Sequence, residues 1–137
     1  MPDQIVLDVL TPAVVEAAAQ GGYILDGFPR TLPQATAAAD LAAQLGVTLD
    51  AAIHLHAPDA VLTARLLDRA RDGRRSDDQP DVIQHRLRVY AEVTGPLVPY
   101  FADRGILIAI DADQAPDSVT ADIQARLSPP GKRKERV

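Results

Sequence analysis

The sequence predicts an α/β domain, a three-layer parallel sheet with flanking helices, and three observations carry that expectation. Helical and strand-like patterns alternate along the chain. The strand candidates are short apolar runs that stop at an acidic residue, as buried parallel strands do. The 137 residues, 47% of them apolar and 24% charged, are one domain's worth of sequence with enough apolar material for a core.

Taken in order, Asp3 is placed to cap a helix over residues 3–20, with Ile5, Val6, Val9, Leu10 and Val14 as its apolar stripe and Gly21-Gly22 as its stop. Tyr23-Ile24-Leu25 reads as a buried strand ending at Asp26-Gly27. Ligands of open parallel sheets sit in the crevice outside such strand ends. Thr31 caps the next helix, with Pro33 in the first turn, where a missing N–H costs little, and Gly46 at the end. Residues 51–55 form the following strand and residues 59–71 a helix. Residues 72–80 are highly charged and aperiodic, an exposed loop. Asp81 opens a long helix that Pro96 and Pro99 should kink or break, and Gly105 closes that region. Residues 106–110 are a β-branched strand meeting Asp111, and residues 116–127 are the last helix. The Pro-, Gly-, Lys- and Arg-rich stretch 128–137 is expected to be a disordered basic tail after a single domain over 1–127.

Composition narrows the function classes. No apolar run reaches the roughly 18 residues of a membrane-spanning helix. No basic-then-apolar leader opens the sequence, and there are no cysteines, so a reducing cytoplasm is the expected location. A net charge of −5 argues against a nucleic-acid platform, which needs a basic face. Twelve of the fourteen basic residues are arginines, and the two lysines, Lys132 and Lys134, both lie in the tail. A planar guanidinium grips phosphate oxygens in bidentate fashion, so clustered arginines in an acidic chain suggest a local phosphate site. On composition alone the plainer account, exposed helix arginines paired with Asp, is favoured.

One string separates the two. Tyr23-Ile24-Leu25-Asp26-Gly27-Phe28-Pro29-Arg30-Thr31, with Gln34 three residues on, places an acid at the predicted strand's polar edge, where it can hold a metal-bound water. Gly27 lets backbone approach a flat base, Pro29 fixes the turn, and Arg30 aims a guanidinium at the crevice. A simple strand-to-helix turn explains Gly27 and Pro29 but does not require Asp26 and Arg30 beside them. The string resembles the adenylate kinase signature over its full length. The resemblance implies that Asp26 stands near Mg²⁺, that Gly27, Phe28, Pro29 and Arg30 line an AMP site, and that Gln34 hydrogen-bonds the adenine. Relatives acting on UMP or CMP usually carry Asn at the position of Thr31, which favours adenine as the acceptor base.

A second constellation, Arg65, Arg69, Arg75 and Arg86 with Asp77 and Asp78, puts two arginines four apart on one helix face and two more around the charged loop. Arg75-Ser76-Asp77-Asp78, with Arg86 eleven residues after Arg75, is similar to the short lid of the same family. By that resemblance Arg65 stacks on the ATP adenine and Arg69 touches ATP phosphates. Arg75 and Arg86 bracket the transferred phosphoryl group and contact AMP, acting with Arg30 as the catalytic cations, while Asp77 and Asp78 hold the lid arginines. The match around Asp111-Ala112-Asp113, where the family passes its chain along the ATP base, is loose. His54 and His56 share one sheet face and suit packing or hydrogen bonding better than metal ligation.

The resemblance implies a fold of the P-loop-containing nucleoside triphosphate hydrolase type and a monomer that transfers a phosphoryl group from ATP to AMP, giving two ADP. It covers residues 1–127 but omits the family's opening strand and its Gly-x-Pro-Gly-x-Gly-Lys-Gly loop. No Gly-rich loop precedes a lysine in these 137 residues except Gly131-Lys132, which follows two prolines. Met1 aligns where the family often has valine, so an N-terminally shortened adenylate kinase is expected, weak or inactive alone and marginal in stability. The alternatives are a non-catalytic AMP-binding remnant and a UMP or CMP kinase relative.

Overall fold

The computed structural model describes residues 2–73 and 79–127, and the expected tail and the lid residues Arg75, Ser76, Asp77 and Asp78 lie outside them. Six α-helices, one π-helical turn and two strands follow one another: α1 Asp3–Ala19, α2 Leu32–Leu45, β1 Ala52–His56, α3 Asp59–Arg71, α4 Pro80–Val89, the turn Tyr90–Thr94, α5 Leu97–Asp103, β2 Leu107–Asp111 and α6 Pro116–Leu127.

The α/β architecture is as the alternation predicts. β1 and β2 pair in parallel, from Ala52 opposite Leu107 to His56 opposite Asp111. Each strand runs one residue later than the apolar pattern indicated, because pairing sets strand ends: Ala52 N–H donates to Ile106 C=O at 2.9 Å and Ala112 N–H to His56 C=O at 2.8 Å. Side chains alternate across the sheet. On one face Ala52 and Leu107 pack against a core of Ala35 from α2 and Leu97 and Phe101 from α5. On the other Ile110 is buried, while its neighbour Leu55 stays 51% exposed.

Tyr23-Ile24-Leu25 is not a strand, which corrects the sequence expectation. A strand exists only by pairing, and among the described residues the sheet consists of β1 and β2. Tyr23 instead anchors the segment by donating its hydroxyl to Thr48 C=O, and Ile24 stands 95% exposed. The apolar stripe of α1 is likewise only partly covered: Leu7 is buried, but Ile5 and Val9 face outward. Asp3 is not the cap of α1 either. Pro2 occupies that position without a side-chain cap, and the Asp3 carboxylate in the first turn accepts a bond from Gln34 instead.

The helix boundaries that carry strong local chemistry hold. Thr31 caps α2, its hydroxyl accepting from Gln34 N–H at 3.2 Å, and Gly46 ends it at φ +69°. The long helix predicted from Asp81 is interrupted ahead of Pro96. Pro96 has no N–H to offer, and the chain widens before it, so that Gly95 N–H reaches back five residues to Tyr90 C=O at 2.7 Å. Gly95 is required there, since a Cβ would stand 2.5 Å from the Ala91 carbonyl oxygen.

Candidate active site

Two clusters of functional side chains emerge, one at the turn into α2 and one beside the C-terminal ends of the strands. In the first, Gly27 adopts φ +78°, a left-handed conformation that glycine reaches without steric cost. A Cβ there would also come within 3.0 Å of the Arg30 guanidinium. The peptide bond between Phe28 and Pro29 is cis, both residues are half-buried, and the chain then presents Arg30 at the surface.

Arg30 is held from three sides. Its Nε donates to Gly27 C=O at 2.8 Å, its backbone N–H donates to Gln34 Oε1 at 2.8 Å, and its carbonyl accepts from the Thr94 hydroxyl at 2.8 Å. The Gln34 side chain, three residues into α2, therefore reaches back as in a capping box but lands one residue before the cap. Its Nε2 donates onward to Asp3 Oδ1 at 3.0 Å, joining α1 to the turn. Asp26 lies exposed just before this turn.

The second cluster is a cleft of about 440 Å³, to which Leu55 of β1, Arg65 of α3, Ala112 and Gln114 after β2, and Val119 and Thr120 of α6 all contribute. Arg65 spans it: Nη2 donates to Ala112 C=O at 2.7 Å. That bond ties α3 to the loop leaving β2, where parallel α/β sheets take their ligands. Arg69 lies one turn beyond Arg65, in the last turn of α3, and Arg86 lies in the last turn of α4. Both are favoured by the partial negative charge of a helix C-terminus, and α3 and α4 pack against each other. Arg75 falls outside the described residues.

His54 and His56 sit on the same face of β1 with ring centroids 5.8 Å apart. Burial, reinforced by the neighbouring imidazole, holds His54 below the ordinary histidine pKa. Burial, with Asp50 nearby, raises the Tyr23 phenol above its ordinary value, consistent with a hydroxyl kept protonated to donate to Thr48.

Sequence reasoning did not single out three contributors. Thr94 and Asp3 reach the turn from distant helical elements, and no local pattern marks such contacts. Gln114 completes the cleft wall; the loosely matching Asp111-Ala112-Asp113 pointed to that loop without identifying it.

A parallel α/β domain with a guanidinium-spanned cleft at its strand ends and a second arginine on a glycine turn has the arrangement that nucleotide-binding proteins of the phosphoryl-transfer class use. Comparison with known proteins names the family. A family model for adenylate kinase matches residues 1–106. An adenylate kinase of Maricaulis maris is 43% identical over 125 residues, covering 91% of this chain and 66% of that protein. Adenylate kinases of Parasynechococcus marenigrum, at 41% identity with 91% and 68% covered, and Thermobifida fusca, at 42% with 88% and 64% covered, match similarly. The chain belongs to the adenylate kinase family, and it spans about two thirds of the length of these relatives.

Proposed function

We propose that these residues form the AMP-acceptor side and the arginine side of an adenylate kinase centre, which passes the γ-phosphoryl group of ATP to AMP and yields two ADP. The observation that carries this is the restraint of Arg30 at the turn matching the family signature, its backbone held by Gln34 and Thr94 and its guanidinium Nε by the Gly27 carbonyl. An oxygen of the AMP phosphate forms the new bond to the γ-phosphorus as the bond from that phosphorus to the bridging oxygen breaks, and the electron pair leaves with ADP. The protein's part is positioning and neutralising charge on the phosphate oxygens. Gly27, Phe28, Pro29 and Gln34 hold AMP. Arg65 and Arg69 hold ATP, and Arg30 with Arg75 and Arg86 neutralises the moving group.

Mg²⁺ would supply charge neutralisation between the phosphates. No group of three carboxylate, imidazole or thiolate side chains able to cage a cation occurs among the described residues. The Asp26 carboxylate, exposed just before the turn, would hold the ion through a water. We place the reaction in the cytoplasm, carried out by a monomer; no helix among the described residues is long and apolar enough to cross a membrane.

The backbone cradle and lysine that a P-loop gives to the β- and γ-phosphates are not supplied by these 137 residues. Turnover by them alone is therefore weak, and the second reading is AMP binding without catalysis. ADP formation from ATP, AMP and Mg²⁺, measured beside Arg75→Ala to expose contaminating kinase, separates the two. Activity that collapses in Arg75→Ala establishes catalysis by these residues; AMP binding with no activity above that control shows that they hold the acceptor without turning it over.

A further inference from the structure

The Gln34 amide is pinned at both ends. Its oxygen faces a group that can only donate, the Arg30 N–H at 2.8 Å, and its nitrogen faces a group that accepts, the Asp3 carboxylate at 3.0 Å. Turning the amide over would set N–H against N–H on one side and oxygen against carboxylate on the other, so a single orientation survives. In that orientation each end keeps one valence unused by these two bonds: a lone pair on Oε1 and a proton on Nε2.

A 6-aminopurine offers a donor at N6 and an acceptor at N1, which complements this pair. A 6-oxopurine offers an acceptor at position 6 and a donor at N1, which would need the amide reversed. We propose that Asp3 is a positioning residue for base selection: by fixing the Gln34 amide it makes the acceptor site prefer 6-aminopurine over 6-oxopurine nucleotides. This rests on the proposal that Gln34 meets the acceptor base. The helix α1 then contributes to specificity through a residue that need not touch the nucleotide.

Asp3→Asn keeps the size but replaces a pure acceptor with a group that can accept or donate, so the amide is held at the Arg30 end alone. The experiment compares binding of AMP and IMP to the 137-residue chain by calorimetry, while nuclear magnetic resonance follows the Gln34 side-chain amide. In Asp3→Asn the AMP-over-IMP preference should shrink by about threefold to tenfold, the scale of one hydrogen bond. Asp3→Glu, which restores a pure acceptor, should recover most of it. A structural loss would weaken both nucleotides alike and leave their ratio unchanged. If AMP binds and shifts the Gln34 resonances but the ratio is the same in both variants, Asp3 has no role in selection. If AMP never shifts those resonances even in the unaltered chain, the acceptor-site assignment fails and this inference falls with it.

Discussion

The Thr94 hydroxyl donates to the backbone carbonyl of Arg30 at 2.8 Å across 64 residues of sequence, so the π-helical turn after α4 clasps the turn that opens α2. π-Helical turns are rare and gather at functional sites. Here the widening is forced by Pro96, and it carries Thr94 to the residue that the family signature marks. We predict that Thr94→Val, which keeps the shape and removes the donor, lowers unfolding free energy by about 1 kcal/mol, whereas Thr94→Ser does not. AMP affinity should fall about fivefold in the valine variant, because Arg30 loses one of three restraints. Urea unfolding and AMP titration of the two variants check this, and equal behaviour of valine and serine would show that the bond is idle.

Sequence showed most clearly what local chemistry decides. Thr31 and Gly46 bound α2 as expected because a side-chain cap and a left-handed glycine act within a few residues. Pro96 announced the break after α4 for the same reason, though not that the chain would widen rather than simply stop. Tyr23-Ile24-Leu25 was misjudged because an apolar run specifies burial, and whether it becomes a strand depends on a partner elsewhere in the chain. In the site, Asp26 through Gln34 were legible as one string, while Thr94 and Asp3 were not. Each contributes a single side chain whose meaning comes from a contact 31 or 64 residues away.

Gly27→Ala tests the turn itself. The φ of +78° is costly for any residue with a Cβ, and that Cβ would also stand 3.0 Å from Arg30 Nη2. The backbone penalty is about 1 to 2 kcal/mol, while the flexible guanidinium moves aside at little cost. Stability should therefore drop by about that amount in denaturant titration, and AMP affinity should drop further than in Thr94→Val, since the bond from Arg30 to the Gly27 carbonyl is displaced as well. A variant as stable as the parent would mean that the turn relaxes freely.

Gly95→Ala is different in kind. Its φ of −50° suits alanine, and the obstacle is a backbone atom, the Ala91 carbonyl oxygen at 2.5 Å. Backbone cannot step aside as a side-chain tip can, so the π-helical turn must rearrange, at a cost of about 1 to 3 kcal/mol. The displacement should be felt at Thr94, and the variant should lose AMP affinity as Thr94→Val does. A thermal melt together with the AMP titration measures both.

His54 gives the fold a pH dependence of known sign. Burial and then His56 lower its pKa below the ordinary 6.5. As pH falls, the unfolded chain takes up the proton first, and the folded chain does so only lower. Between the two values the unfolded state holds more protons, so stability declines as pH falls from about 6.5 and levels off below the folded-state pKa. His54→Gln should flatten that decline in denaturant titrations between pH 7 and pH 5. An unchanged slope would place the dependence on other groups.

Arg65 makes the sharpest demand on the second cluster, because its guanidinium already donates to Ala112 C=O at 2.7 Å and the proposed function also asks it to offer a flat face to the ATP base. Lysine keeps the charge but has neither the planar face nor the fork. Arg65→Lys should therefore weaken ATP binding nearly as much as Arg65→Ala, by about tenfold, on the scale of a stacking contact at a partly exposed site. AMP affinity, which the proposed function assigns to the turn held by Gln34 and Thr94, should stay unchanged in both. Paired ATP and AMP titrations decide the matter. If lysine restores ATP binding, the residue acts as a charge and not as a platform; if AMP binding falls in parallel, the two clusters are not separate sites.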